Sequence, residues 1–165
     1  MTQKSLSHVD SAGKIRMVDI TDKESTLRMA RASCVVRTRV DVSALSSSGD
    51  LLEPLGIAQL VGIQAAKQTS NLIPLCHALN LNDIRVEVVA RDQRVEISAT
   101  VAAFYRTGVE MEALTACAFA ALSVVNSLLE LDLETRIDEL VVLEKSGGRS
   151  GDWGRQVQAG ELPAK

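Results

Sequence analysis

One long segment without charge restricts the fold of this chain more than any other feature. Residues 113–129 carry no charged side chain and are nearly long enough to cross a membrane as a helix. The segment is rich in alanine and includes Thr115, Ser123, Asn126 and Ser127, which favours a helix packed inside a protein. Its apolar residues occur on nearly every helical face, so we expect burial on several sides and a contact between subunits.

Asn126 interrupts this apolar pattern, in the stretch "ALSVVNSLLE". A buried amide that lacks hydrogen-bond partners costs about 1–3 kcal/mol of stability. The pattern therefore predicts that Asn126 is placed to meet a polar partner.

Composition excludes several classes of function. The chain has 165 residues, a net charge of −3 and only 2% aromatic residues, which indicates one domain and argues against nucleic-acid binding. Its three cysteines lie far apart and it has two histidines, so we expect no metal site, no cofactor and free thiols in a reducing cytoplasm. The N-terminus shows no apolar segment of a signal peptide, and we expect no membrane anchor.

Hydrophobic periodicity predicts six main elements in the order strand, helix, strand, strand, helix, strand. The predicted elements are a strand at 27–37, a helix at 52–70, a hairpin with its turn at 91–94, a helix at 108–130 and a strand at 136–145. This order is typical of an α+β ferredoxin-like fold, with an antiparallel four-stranded sheet packed with helices. We expect a loosely ordered segment at 1–15, a single domain at 16–153 and a polar tail at 154–165.

The stretch "TGVEMEAL" opens the second long helix and carries two carboxylates. Thr107 and Glu110 have the spacing of a capping box, in which the two side chains satisfy free amides at the helix start. That interpretation leaves Glu112 without a role. A second carboxylate beside an apolar helix suits a positioned acid or base.

Three stretches with basic or titratable residues admit both a structural and a functional interpretation. His77, in "PLCHAL", is either a structural histidine or a proton shuttle. Lys67 either complements the negative end of its helix or points toward the histidine loop that follows. In "EKSGGRSGD", Lys145 and Arg149 flank glycines whose backbone N–H groups suit phosphate oxygens, although mobile surface loops often have this composition and no P-loop motif is present.

Four stretches together resemble one protein family. "MVDIT", "GIQAAKQTSNLIPLCHAL", "RTGVEMEALTA" and "EKSGGRSGDW" occur in the order seen in the MoaC family, the cyclic pyranopterin monophosphate synthases, and the resemblance covers residues 6–153. It implies a cytosolic lyase of molybdenum cofactor biosynthesis with a ferredoxin-like α+β fold. The implied reaction converts 3′,8-cyclo-7,8-dihydro-GTP to cyclic pyranopterin monophosphate and releases pyrophosphate. The implied assembly is a hexamer, a trimer of dimers, with active sites between subunits.

The resemblance also assigns roles to individual residues. It implies that Glu112 and His77 transfer protons. The positions implied to contact substrate are Leu75, Cys76, His77, Glu110, Met111 and Glu112. The basic positions implied to face the triphosphate or to lie near the first strand are Lys67, Lys145, Arg149, Lys23 and Arg28.

The chain departs from the family pattern at three positions. Asn126 stands where the family has a catalytic aspartate, and Leu129 stands where it has an essential lysine three residues later. Positions three residues apart share a helix face, so both members of one acid–base unit are replaced. The lysine of a Lys-Gly-Asp motif is also missing, since its position falls on Leu51 or, with an insertion, on Ser48.

These departures leave more than one function open. The chain is either a synthase of this family or a catalytically degenerate paralogue that keeps nucleotide binding or a scaffold role beside an active relative. A third hypothesis is a related lyase or sensor for a modified guanine nucleotide.

Overall fold

One antiparallel sheet carries the helices in the computed structural model, which describes residues 7–43 and 54–156. The elements in chain order are β1 (Thr26–Arg37), α1 (Pro54–Lys67), α2 (Thr69–Leu72), β2 (Asp83–Arg91), β3 (Arg94–Tyr105), α3 (Glu110–Leu128), β4 (Arg136–Ser146) and β5 (Trp153–Gly154). The strand order is β2-β3-β1-β4-β5, with antiparallel pairing throughout. The predicted α+β fold is confirmed, and its sheet has five strands instead of four.

Alternation along the strands sets the side of the sheet that faces the helices. On β1, Ala30, Ala32, Cys34 and Val36 are at most 1% exposed, as expected for residues two apart on one strand face. β3 lies beside β1 in continuous register and contributes Val95, Ile97, Ala99, Val101 and Ala103 to the same core. The hairpin turn falls between Arg91 and Arg94, as predicted, with Asp92 at a positive φ of 48°.

Small side chains allow α1 and α3 to pack closely over this sheet. A Cβ at Gly62 would lie 3.0 Å from the Ala116 carbonyl oxygen and 3.2 Å from the Ala120 Cβ. Ala113, Ala116 and Ala120 are fully buried. The alanine content of the uncharged segment therefore reflects a close contact between helices.

The long helix α3 has nine buried residues spread over more than half of its circumference, and within a single chain one stripe of the helix remains exposed. By length and composition α3 could cross a membrane, and 50% of its most apolar window is buried inside the fold, where it packs against β1, β3 and α1 as a core helix. Leu122, Asn126 and Leu129 are exposed on its outer side. The prediction that Asn126 is buried is therefore wrong for a single chain, and within one chain the amide needs no buried partner.

Several predicted boundaries shift. The first helix ends at Lys67 and a second short helix, α2, occupies the end of the predicted helix and the start of the predicted loop. β5 pairs with β4 across the predicted boundary of the tail, through Trp153 beside Lys145 and Gly154 beside Glu144. Within the segment 1–15, predicted to be loosely ordered, Val9 and Ile15 form a bridge that closes a tight turn.

Candidate active site

A cavity of about 480 Å³ opens where the start of α3, the ends of β1 and β4, the loop after α2 and the N-terminal segment meet. Most residues predicted for a site line this cavity. They are Lys23, Arg28, Leu75, Cys76, His77, Glu110, Met111, Glu112, Lys145 and Arg149. Segments far apart in the sequence therefore converge on one place.

The first turn of α3 contributes an ion pair instead of a capping box. Val109 is the N-cap residue and makes no side-chain capping bond, so the predicted capping box of Thr107 and Glu110 is wrong. Lys145 Nζ donates to Glu110 Oε1 at 2.8 Å, which draws this carboxylate toward β4. Glu110 thus ties the start of the helix to the strand that forms the opposite wall.

Glu112 lies two residues after Glu110 on α3 and forms no ion pair with the basic side chains that the structure describes. Glu112 is 4% exposed, and chiefly this burial raises its pKa to about 7. The nearby charge of Glu110 contributes to the rise in pKa. A carboxyl group with a pKa near neutral can both release and accept a proton under physiological conditions. Burial, helped by the charge of Glu112, also raises the pKa of the Cys76 thiol, so this cysteine is disfavoured as a thiolate nucleophile.

Strand register places two cations on the cavity side of the sheet. Lys145 on β4 lies opposite Ala30 on β1, and residues directly opposite share a face. Arg28 lies two residues before Ala30 and so projects from the same face of β1. Both cations therefore point to the side on which α3 begins.

The glycine pair after β4 permits a close approach to β1. Gly147 and Gly148 have φ of 88° and 78°, a region that other residues rarely adopt. A Cβ at Gly147 would lie 2.1 Å from the Leu27 carbonyl oxygen, and one at Gly148 would lie 1.7 Å from Arg28 Nη1. The Gly147 N–H donates a hydrogen bond to Asp152 Oδ1 at 3.1 Å, so it is not free to bind phosphate. The glycines thus serve chiefly to seat the Arg28 guanidinium.

Four cations of the cavity have no acidic partner among the residues that the structure describes. Lys23, Arg28, Arg106 and Arg149 form no ion pair, and Arg28 Nε is buried without a hydrogen-bond partner there. With Lys145 they make five positive side chains against the two carboxylates of Glu110 and Glu112. This excess of positive charge suits a polyanionic ligand.

Two predicted catalytic residues lie outside this cavity. Lys67 is an exposed residue at the end of α1, and neither it nor Asn126 is among the described residues that line the cavity. Asn126 follows Glu112 by fourteen positions on α3, a separation of about 21 Å along a helix axis. Leu129 lies further still, while Ser48 and Leu51 fall outside the described residues.

Arg106 and His8 are two titratable residues of the cavity that the sequence alone does not single out. Arg106 begins the connection between β3 and α3 and directly precedes the "TGVEMEAL" stretch, and that adjacency is the available signal. His8 lines the cavity from the N-terminal turn, and its buried Nδ1 atom has no hydrogen-bond partner among residues 7–43 and 54–156. No local pattern distinguished it, because its segment reads as polar and unstructured.

The arrangement suits acid–base chemistry on a bound anion. Glu112 and His77 line the same cavity as the unpaired cations, so groups suited to proton transfer and groups suited to anion binding lie side by side. Across residues 7–43 and 54–156, no group of three or more His, Cys, Asp or Glu side chains has the arrangement of a metal site.

Comparison with known proteins agrees with this arrangement. The model of the MoaC family matches residues 17–148. A protein of Mycobacterium tuberculosis named cyclic pyranopterin monophosphate synthase 2 is 47% identical over 153 residues, 92% of each chain. Proteins named cyclic pyranopterin monophosphate synthase are 46% identical in Streptomyces avermitilis, over 93% of this chain and 91% of the relative, and 44% identical in Thermomicrobium roseum, over 92% and 93%. The chain therefore belongs to the MoaC family.

Proposed function

We propose that this protein is a cytosolic cyclic pyranopterin monophosphate synthase of molybdenum cofactor biosynthesis. It would convert 3′,8-cyclo-7,8-dihydro-GTP to cyclic pyranopterin monophosphate and release pyrophosphate. One observation carries the proposal: a single cavity combines four unpaired cations with a carboxyl group whose pKa is raised by burial to about 7. The names of the relatives and the match to the family over residues 17–148 support the same reaction.

The charges of the cavity fit the chemistry of this reaction. The unpaired cations neutralise the triphosphate and the charge that develops on departing pyrophosphate. Glu112 and His77 exchange protons with the ring atoms during the rearrangement. Glu110 keeps Lys145 in place through its 2.8 Å ion pair.

The exposed side of α3 supports an oligomer in which a second copy completes the site. Leu122, Asn126 and Leu129 are exposed and lie on one helical face, at spacings of four and three residues. Because Asn126 lies far along the helix from the cavity of its own chain, its approach to a cavity requires a partner subunit. We propose a homo-oligomer, specifically a hexamer built as a trimer of dimers.

A second candidate function rests on the identity of two residues on this exposed face. Asn126 and Leu129 occupy the positions that the family resemblance gives to a catalytic aspartate and an essential lysine. An amide accepts no proton as a base, and a leucine carries no charge. In this alternative the protein binds the nucleotide without turning it over, as a degenerate paralogue that acts as a scaffold or assembles with an active relative.

One assay separates the two functions. Purified protein is incubated with 3′,8-cyclo-7,8-dihydro-GTP, and cyclic pyranopterin monophosphate and pyrophosphate are measured by mass spectrometry and a coupled phosphate assay. Formation of both products over many turnovers supports the synthase. Saturable binding without product supports the paralogue, and absence of binding contradicts both.

A pair of substitutions tests whether the acid–base unit was lost. Asn126→Asp with Leu129→Lys should raise turnover by about 10²- to 10⁴-fold, since an aspartate that orients a catalytic group contributes about that much. The control is Asn126→Asp with Leu122→Lys, which adds the same charges to the same helix face with the lysine displaced. If the missing third lysine also limits turnover, Leu51→Lys must be added. No gain from the triple variant contradicts the assignment of these positions.

A further inference from the structure

Arg106 is the first residue of the stretch "RTGVEMEALTA", and no role has been assigned to it, although it lines the same cavity as Lys23. It follows the last residue of β3, Tyr105, and precedes the stretch that opens α3. Most arginines on the sheet of the described chain pair with a carboxylate, as Arg85 does with Asp83 at 2.9 Å. Arg106 forms no such pair within that part of the chain, so its charge is available to a ligand.

Within the described part of the chain, the Arg106 side chain makes one hydrogen bond, to a turn that precedes β1. Its Nη1 donates to the Thr21 carbonyl oxygen at 3.2 Å. Thr21 belongs to a turn in which Asp19 Oδ1 accepts bonds from the Thr21 N–H at 2.9 Å and from the Thr21 hydroxyl at 2.7 Å. The Lys23 N–H continues the turn by donating to the Ile20 carbonyl oxygen at 3.1 Å.

This geometry links Arg106 to Lys23 through the backbone. The turn held by Arg106 carries Lys23 into the cavity two residues after Thr21. A guanidinium has five N–H donors, and a single carbonyl bond leaves the others free for ligand oxygens. Arg106 therefore has the means to bind an anion directly while it orients a second cation.

We propose that Arg106 is a further substrate-binding residue of this site, which contacts the triphosphate and positions Lys23 for the same group. The proposal rests on the proposed function, because it takes a nucleoside triphosphate as the ligand of the cavity. It assigns Arg106 a part in binding the phosphates and none in recognition of the guanine base.

Binding of GTP and of guanosine, measured by isothermal titration calorimetry, tests the proposal. Arg106→Met should weaken GTP binding by about 10- to 100-fold, the loss expected for hydrogen bonds to a charged group, and should leave guanosine binding within about twofold of the wild type. Arg106→Lys keeps the positive charge but loses the fork of N–H donors. Its affinity for GTP should therefore lie between those of the wild type and Arg106→Met. Arg85→Met is the matched control, because it removes an exposed arginine that lines no part of this cavity.

The link to Lys23 is tested by a double-mutant cycle. If Arg106 positions Lys23, the effects of Arg106→Met and Lys23→Met on GTP binding are less than additive, because either change alone already disables the pair. Fully additive effects overturn the positioning role. A thermal unfolding scan of each variant shows whether the fold is intact, and Arg106→Lys serves if Arg106→Met does not fold.

The outcomes distinguish this proposal from the proposed function. If Lys145→Met weakens GTP binding and Arg106→Met does not, the role of Arg106 is overturned while the triphosphate site stands. If the wild type binds no GTP, the role of Arg106 is overturned as well, and the turnover assay with the cyclised substrate decides the function on its own.

Discussion

Two cavities of similar size among the described residues differ in whether their charged side chains are paired. The candidate active site has a volume of about 480 Å³ and contains four unpaired cations. The second cavity, of about 470 Å³, is lined by Arg37, Arg39, Arg94 and Arg136 together with acidic residues. Each of these four arginines pairs with a carboxylate, at distances between 2.7 and 3.4 Å.

The Asp132 carboxylate in the second cavity accepts hydrogen bonds at both of its oxygen atoms. It accepts them from the Arg39 N–H at 2.7 Å, from the Arg39 guanidinium at 2.7 and 3.0 Å, and from the Thr38 hydroxyl at 2.9 Å. The backbone N–H and then the side chain of Arg39 hold the pKa of Asp132 well below its usual range. In the first cavity, burial instead raises the pKa of Glu112 to about 7.

The contrast teaches that an arginine-lined cavity is not by itself a binding site. Where every arginine already pairs with a carboxylate, an anionic ligand must break an ion pair to bind, and the arginines hold the fold together. Where cations lack partners and a carboxyl group is kept partly neutral, the protein has left charge available for substrate. Unpaired charge separates the two cavities more clearly than volume does.

The largest expected effect is a pH-dependent gain of stability in Glu112→Gln. The pKa of Glu112 is about 7 in the folded chain and 4.5 in the reference state, so the folded wild type loses stability as the pH rises from about 4.5 through 7. The variant should be about 3 kcal/mol more stable than the wild type at pH 8 and nearly equal to it at pH 4.5. Urea denaturation at both pH values measures this difference.

Glu130→Gln is the matched control for this titration, since Glu130 is an exposed carboxylate near the far end of α3. Because this carboxylate is exposed, the substitution should change the free energy of unfolding by at most about 0.5 kcal/mol. Asp132 predicts the opposite sign for the second cavity: its lowered pKa contributes stability that is lost as the pH falls toward acid. If the free energy of unfolding of Glu112→Gln depended on pH just as that of the wild type does, Glu112 would not have a raised pKa in the first cavity.

The next effect concerns one arginine from each cavity. Arg28→Met should weaken GTP binding by about 10- to 100-fold, because Arg28 has no partner in the described fold and is free to donate to phosphate. Arg136→Met removes a cation that already pairs with Asp138 at 3.4 Å, so GTP binding should stay within about twofold of the wild type. Isothermal titration calorimetry measures both affinities for GTP. Equal losses in the two variants would show that unpaired arginines do not mark the ligand-binding cavity.

The smallest effect sharpens the account of how Arg28 is held. Gly148→Ala and Gly151→Ala both place a side chain at positive φ, of 78° and 65°, and each should cost about 1 kcal/mol of stability. A Cβ at position 148 collides with Arg28, whereas at position 151 it meets open space. Only Gly148→Ala should therefore also weaken GTP binding, by roughly 3- to 10-fold, about one lost hydrogen bond. If both variants bind GTP alike, the glycine pair does not seat Arg28.

The extent to which the site could be predicted depends on how local each signal is. His77, Glu112 and Lys145 stand out in the sequence because each lies in a short stretch with a distinctive composition, and the structure brings all three to one cavity. The capping box was wrong although its spacing was correct, because Lys145, distant in the sequence, competes for Glu110. The sequence alone does not single out Arg106, because its hydrogen bond to the Thr21 carbonyl oxygen joins segments that are far apart in the chain.

The sequence by itself determined the order and type of the main elements, since periods of two and of 3.6 residues are local properties of strands and helices. It also carried the motifs that identify the family. Only the tertiary structure decided which charges are paired, that Glu112 is buried and that Asn126 is exposed, because these depend on contacts between segments far apart in the chain. Burial and pairing set the electrostatic free energy of a charged group, so the chemistry of this site arises only once the chain has folded.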